Sequence, residues 1–297
     1  MTPLSHLERL ESEAIFILRE GVAEAENPVL LFSGGKDSTV LAQLAVRAFA
    51  PSRPPLPLLH VDSTWEFRDV LAFRDAFAAQ AGFSLLTYRN EEGFAQGLNP
   101  IQHGDGYTTA MRTGALKQAL DAHGFDVIFG GARRDEEATR AKERIVSVRD
   151  ARHGWDPRKQ RPELWSIFNL RRSPGQSFRV YPLSNWTEQD LWSYIALKKI
   201  DLCPLYFAAP RPVLERDGQR IVIDDPERGR ALGLAPTGEE QVRFRSLGCW
   251  PVTAASLSSA SDVAQVVGET VSARISERSG RVSDAGSLEA QKREGYF

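Results

Sequence analysis

Apolar residues in the first two-thirds of the chain concentrate in short runs, separated by longer stretches in which they recur at helical spacing. The runs are Val29 to Phe32, Leu56 to Val61, Ser84 to Tyr88 and Val127 to Phe129. Ser33-Gly34-Gly35 stops the first and Gly130-Gly131 the fourth. Between them lie helical faces such as Phe67, Val70, Leu71, Phe77 and Ala78, or Met111, Ala115, Leu116 and Ala119. Leu4, Leu7, Leu10, Ala14 and Ile17 predict an amphipathic helix at the start. Runs without polar alternation belong to strands covered on both faces, so the pattern predicts an α/β fold with a parallel sheet. Ligands of such sheets bind beyond the carboxyl ends of the strands. That places Ser33-Gly34-Gly35, Asp62 and Gly130-Gly131 along one edge. A last strand ends at Val180-Tyr181-Pro182, and Thr187 with Asp190 forms a capping box for a helix through Lys199.

The texture changes between Arg133 and Arg172, where 12 Lys/Arg stand against 7 Asp/Glu, a local balance of +5 in a chain of net charge -2. Its part from Arg144 to Arg172 could bind nucleic acid. Its interspersed acids and prolines favour instead an ordered loop over the active site or a docking surface. Beyond Lys199, Asp217-Gly218 between Val213–Arg216 and Gln219–Ile223 predicts a hairpin. A helix follows around Asp262 to Arg278, with Val263, Val266, Val267 and Ile275 on one face, and then a polar tail from Gly280 to Phe297. We therefore expect an α/β domain over residues 1–200 and an irregular extension with a hairpin and a helix over 201–297.

Composition narrows the chemistry. With 42% hydrophobic and 26% charged residues the 297-residue chain reads as an ordinary globular protein. Its longest apolar stretches fall far short of the roughly 20 residues that span a bilayer, and a cytoplasmic location is expected. Cys203 and Cys249 are far apart and form no Cys-x-x-Cys pair. That argues against a cysteine-bound metal or an iron–sulfur cluster.

The informative element is Ser33-Gly34-Gly35-Lys36-Asp37-Ser38, after a strand and at the opening of a helix. Two glycines let consecutive amides point into one concavity, the helix adds its positive end, and Lys36, Ser33 and Ser38 add a charge and two hydroxyls. Phosphate binding is the expectation. The loop is not a Walker motif, because Asp37 rather than Ser or Thr follows Lys36. The chain also lacks an Asn-Lys-x-Asp guanine-reading element.

This loop resembles the PP-loop of the ATP pyrophosphatase superfamily. His60-Val61-Asp62-Ser63-Thr64-Trp65-Glu66-Phe67, Gly130 to Glu137, Ala141 to Arg144, Tyr181 to Glu188 and the closing Glu294 to Phe297 narrow the likeness. Together they resemble the small subunit of sulfate adenylyltransferase, of the CysD type, over nearly the whole chain. The resemblance implies AMP transfer from ATP to sulfate, with adenylyl sulfate and pyrophosphate as products. It also implies Mg²⁺ with the ATP, and as partner a separate GTPase large subunit of the CysN type.

Within that frame the Gly34 and Gly35 amides and Lys36 suit the β- and γ-phosphates. Asp37 would orient the loop, meet a hydrated Mg²⁺ or cap the helix. Arg133 or Arg134 is the first choice for sulfate or the α-phosphate, since guanidinium forks match tetrahedral oxyanions. Salt bridges to Asp135, Glu136 or Glu137 are the alternative, and Arg140, Lys142 and Arg144 are weaker candidates. Asp62 would meet the ribose or the adenine amino group, or cap a turn, and His60 reads as a packed strand residue. Sulfate is already deprotonated at neutral pH, so no general base is required. Two rivals stand beside this reading. One is an adenylyl sulfate reductase, which relies on a nucleophilic cysteine near the C-terminus. The other is a PP-loop module that binds ATP or RNA.

Overall fold

The structure is a computed structural model that describes residues 4–272 and 294–295. It begins with α1 (His6–Ala23), opened by the capping box of Ser5 and Glu8. There follow β1 (Pro28–Leu31), α2 (Lys36–Phe49), β2 (Leu58–Val61), α3 (Arg68–Ala81) and β3 (Leu85–Tyr88). Next come α4 (Glu91–Ala95), α5 (Pro100–Thr108), a π-helical turn at Thr109–Gly114, α6 (Ala115–His123) and β4 (Val127–Phe129). The chain then forms β5 (Val146–Arg149), β6 (Ser177–Val180) and α7 (Glu188–Lys198). The Thr187–Asp190 capping box forms as its spacing predicts.

These strands make one six-stranded sheet in the order β3-β2-β1-β4-β6-β5. All neighbours are parallel except β5, which runs antiparallel to β6 with Ser147 opposite Arg179. Both faces are covered, which explains the unalternated runs. On one face Val29, Leu59 and Ile128 pack against Leu116, Ala119 and Leu120 of α6. On the other, Leu30, Leu58 and Phe129 meet Ile17 of α1 and Val40, Leu41 and Leu44 of α2.

The basic stretch, expected as a loop, contains the edge strand β5. The region expected to be irregular is also more regular than its composition suggested. It holds β7 (Ala209–Arg216), β8 (Gln219–Val222), α8 (Pro226–Ala231), β9 (Gly238–Arg243), β10 (Ser256–Leu257) and α9 (Val263–Ser272). The four strands form an antiparallel sheet in the order β10-β9-β7-β8. Asp217 and Gly218 adopt φ of 52° and 73° at the β7–β8 turn, the left-handed pair that a two-residue hairpin needs. The expected helical positions past Ser272, Ile275 among them, and the polar tail except Glu294 and Gly295 lie outside the described residues. No helix among the described residues is long and apolar enough to cross a membrane.

One side chain in the sheet is costly. Arg179 of β6 is fully buried, and its three side-chain nitrogens have no hydrogen-bond partner among the described residues. Burial, with Arg149 nearby, pushes its pKa down to about 9. Removing a buried charge of this kind tends to stabilise a fold. Arg179→Met is therefore expected to raise stability by about 1–3 kcal/mol, read as a higher midpoint of thermal unfolding at pH 7.

Candidate functional site

The carboxyl end of β1 and the amino end of α2 meet over residues 33–38. Gly34 adopts φ of 73°, and a Cβ there would lie 3.0 Å from Val70 Cγ1, so both conformation and space call for glycine. Gly35 stands in extended geometry as the residue before α2 and has no side chain with which to cap its first turn. Apart from the Lys36 amide, which bonds the Tyr206 hydroxyl, the positive end of the helix is left for a ligand. The Ser38 and Thr39 hydroxyls instead donate to the Gly35 carbonyl at 3.0 and 2.9 Å, which fixes the loop's entry into the helix.

Beneath the loop sits a charged triad. Lys36 Nζ lies 3.0 Å from Asp37 Oδ2, and Arg133 Nε donates to Asp37 Oδ1 at 2.6 Å. Burial alone would raise the Asp37 pKa, and Glu136 adds to that, but Lys36 and Arg133 together hold it below its ordinary value. The second glycine pair explains the tight packing. A Cβ on Gly131 would lie 2.9 Å from the Asp37 carbonyl carbon, so only glycine lets the end of β4 approach the start of α2 this closely.

The cavity above the loop is lined by Ser33, Gly35, Asp37, Ser38 and Gly131 among the predicted residues. Lys36 and Arg133 are buried below it. Gly130 donates its N–H to the Val180 carbonyl at 2.9 Å and so extends the β4–β6 pairing. Asp62 Oδ1 accepts from the Thr64 N–H at 2.8 Å, where Thr64 has φ of 69°; its carboxylate caps a turn. Arg134 points elsewhere: its Nη1 donates to Asn185 Oδ1 at 2.5 Å and its Nη2 to the Glu143 carbonyl at 3.2 Å. Neither arginine of the Arg133-Arg134 pair lines the cavity, whereas Arg112 and Arg140 do. Arg140 forms an ion pair with Glu136 at 3.4 Å.

Sequence reasoning missed three contributors. Arg112 sits on the π-helical turn, a local irregularity often found at functional sites, and nothing in its sequence neighbourhood marks it. Tyr206 belongs to a 3₁₀ turn at Pro204–Tyr206, and its hydroxyl accepts from the Lys36 N–H at 2.8 Å. Burial pushes that phenol up, so it stays a neutral hydroxyl with its own proton still to give. The third is the segment 246–249 after β9, which lines the cavity from above. It is pinned by the next residue: Trp250 donates its N–H to the Trp65 carbonyl at 2.7 Å and stacks on the Trp65 ring at 5.4 Å.

The described residues offer no ready-made metal site. No group of three His, Cys, Asp or Glu side chains among the described residues could hold a metal ion. Each oxygen of Asp37 already faces a cation, which disfavours direct ligation of another. What the arrangement offers is cations, hydroxyls and the positive end of a helix around a cavity, suited to stabilising a polyanion.

The phosphoadenosine phosphosulfate reductase domain family matches residues 27–255. The chain is 56% identical over 300 residues to sulfate adenylyltransferase subunit 2 of Methylorubrum populi, covering 100% of this chain and 97% of that protein. It is also 56% identical to the subunit 2 of a Bradyrhizobium strain, over 99% and 92% of the two chains. Among solved structures, the ATP complex of Candida glabrata FMN adenylyltransferase superposes with a TM-score of 0.50 at 14% identity, covering 95% of this chain and 91% of that one. This last likeness speaks to the fold alone. Identity above half, sustained along the whole chain and joined to the loop geometry at β1 and α2, decides the matter: the chain belongs to the sulfate adenylyltransferase subunit 2 family and carries that family's PP-loop type of α/β domain.

Proposed function

We propose that the chain transfers AMP from ATP to sulfate, giving adenylyl sulfate and pyrophosphate. A sulfate oxygen forms a bond to the α-phosphorus. The bond from that phosphorus to the bridging oxygen breaks, and its electron pair leaves with pyrophosphate. No proton has to move, because the nucleophile is already a dianion. The work is to bring two anions together and to hold the leaving group.

The observation that carries this reading is the start of α2 behind Gly35, which supplies no cap of its own, with the Lys36–Asp37–Arg133 triad locked against Gly131, in a chain of this family. Ser33, Gly34, Gly35 and Ser38 would cradle the β- and γ-phosphates with the field of Lys36 behind them. Asp37 and Arg133 act as positioning residues that hold Lys36. Arg112 and Arg140, rather than Arg134, are the guanidinium groups best placed for sulfate or the α-phosphate. Mg²⁺ would enter on the phosphates of the ATP. The relatives' name, subunit 2, implies a partner subunit. We take that partner to be the CysN-type GTPase large subunit, whose GTP hydrolysis drives an uphill transfer in the cytoplasm. Residues 1–200 would bind ATP, and residues 201–297 would close the site with the segment 246–249 and meet the partner.

Labelled pyrophosphate exchange into ATP tests the reading, run with and without sulfate and with and without the large subunit. Exchange that requires sulfate is expected. Exchange that ignores sulfate but answers to another acceptor would remove sulfate as substrate and leave the ATP loop standing. A second result follows from Tyr206. Tyr206→Phe keeps the ring beside Trp192 and removes both the acceptor for the Lys36 N–H and the spare hydroxyl proton. It is expected to lower kcat/KM for ATP by about tenfold or more, with little change in melting temperature.

A further inference from the structure

Two acceptors among the cavity-lining residues lack a donor. His60 of β2 is 2% exposed and holds Nδ1 2.9 Å from the Phe32 carbonyl oxygen. A carbonyl only accepts, so Nδ1 carries the proton. Burial lowers the ring's affinity for a second proton, and Nε2 is left a bare acceptor with no hydrogen-bond partner. Glu66, at the turn beyond β2, spends Oε1 on the Ser63 N–H at 2.9 Å and the Ser63 hydroxyl at 2.5 Å. Its Oε2 is buried and also has no partner. Both residues line the cavity, as do the apolar side chains of Phe32 and Val70, against which a flat base can pack.

A buried acceptor without a donor costs about 1–3 kcal/mol, and two in one cavity wall call for a ligand that brings N–H groups. We propose that His60 Nε2 and Glu66 Oε2 each take one hydrogen of a purine 6-amino group, and so select adenine over 6-oxo purines. This inference rests on the reading of the cavity as an ATP site and supplies its base selectivity. An amino group satisfies both acceptors at once. A 6-oxo base would turn a carbonyl oxygen toward them, setting a third acceptor beside two that already lack a donor.

The test is equilibrium binding of ATP, ITP and N6,N6-dimethyl-ATP by calorimetry, on the wild-type chain and two variants. Glu66→Gln keeps one carbonyl oxygen for Ser63 and puts an NH₂ in place of Oε2, turning an acceptor into a donor. Wild type is expected to prefer ATP over ITP by about tenfold or more, and to lose about as much affinity for the dimethyl analogue. Glu66→Gln is expected to shift the ATP-to-ITP ratio toward ITP by about 10- to 100-fold. Ser63→Ala removes a donor to Oε1 and the 3.3 Å contact with Cys249 Sγ but leaves Oε2 untouched, and should lower the melting temperature while leaving the ratio within about twofold.

Wild type that binds ITP or the dimethyl analogue as tightly as ATP would overturn the proposal without any variant. So would a Glu66→Gln chain that weakens both nucleotides equally or leaves the ratio unchanged. Because binding is read without sulfate or turnover, loss of the sulfate assignment leaves this result intact. A wild-type chain that binds no ATP would sink the ATP site and this inference together.

Discussion

Replacing Lys36 with methionine is expected to lower sulfate-dependent release of pyrophosphate from ATP by about 10²- to 10³-fold, the scale of losing one preorganised charge beside a developing anion. The reason lies in what the ammonium group touches. It is buried, it sits 3.0 Å from Asp37 Oδ2, and that carboxylate bonds Arg133 on its other side. Methionine fills much of the same space but removes the positive field behind the loop. A steady-state assay with saturating sulfate would show the loss mainly in kcat if the charge acts on the transition state.

The same variant carries a pH signature. Lys36 and Arg133 hold Asp37 below its ordinary value, so its contribution to stability is fully present above the unfolded value of 3.8. It is lost as the pH falls through the lower native value. Without Lys36 the native value rises toward 3.8 or above, and acid unfolding should begin at higher pH than in wild type. An acid-unfolding curve in which the two proteins coincide would show that Lys36 does not hold Asp37.

Gly131→Ala has the second large expected effect. The new methyl group would lie 2.9 Å from the carbonyl carbon of Asp37 and 3.1 Å from its Cβ and its carbonyl oxygen. Two of those three contacts are backbone, so the clash cannot be relieved by turning a side chain. Either β4 withdraws from α2 or the loop deforms. Overpacking of this kind costs about 1–3 kcal/mol, and displacement of the loop should lower kcat/KM by about 10²-fold. Urea unfolding with a parallel activity assay checks both. Gly97→Ala serves as the contrast, since no atom stands within 4 Å of a Cβ at that position and its φ of 68° leaves only backbone strain.

The parallel core of the sheet was legible because its strands are covered on both faces, and runs such as Val29–Phe32 and Val127–Phe129 carry no polar interruption. β5 was not, because Val146-Ser147-Val148-Arg149 alternates like a surface segment while its polar residues are in fact buried. In the second sheet, Asp217-Gly218 announces β7 and β8. β9 includes Glu239, Glu240 and Gln241, and strand character there comes from pairing with β7 rather than from an apolar pattern.

The site divides in the same way. Local signals reveal the loop, since glycines, lysine and hydroxyls must be adjacent to make a cradle. Contributors brought in by the fold leave no such trace: Tyr206 lies 170 residues from the amide it accepts from. The choice between Arg133 and Arg134 was equally hidden. Arg133 is extended, with φ of -122° and ψ of 145°, and adjacent side chains in extended backbone leave in opposite directions. One therefore turns inward to Asp37 and the other outward to Asn185. No count of charges in Gly-Gly-Ala-Arg-Arg could say which.

The Lys36-centred cradle is tested most directly by a crystal of the chain soaked with pyrophosphate. The account predicts the anion at the start of α2, within hydrogen-bonding distance of main-chain amides in residues 34–38 and of the Ser33 or Ser38 hydroxyl. Pyrophosphate seated elsewhere, with residues 33–38 empty, would contradict it.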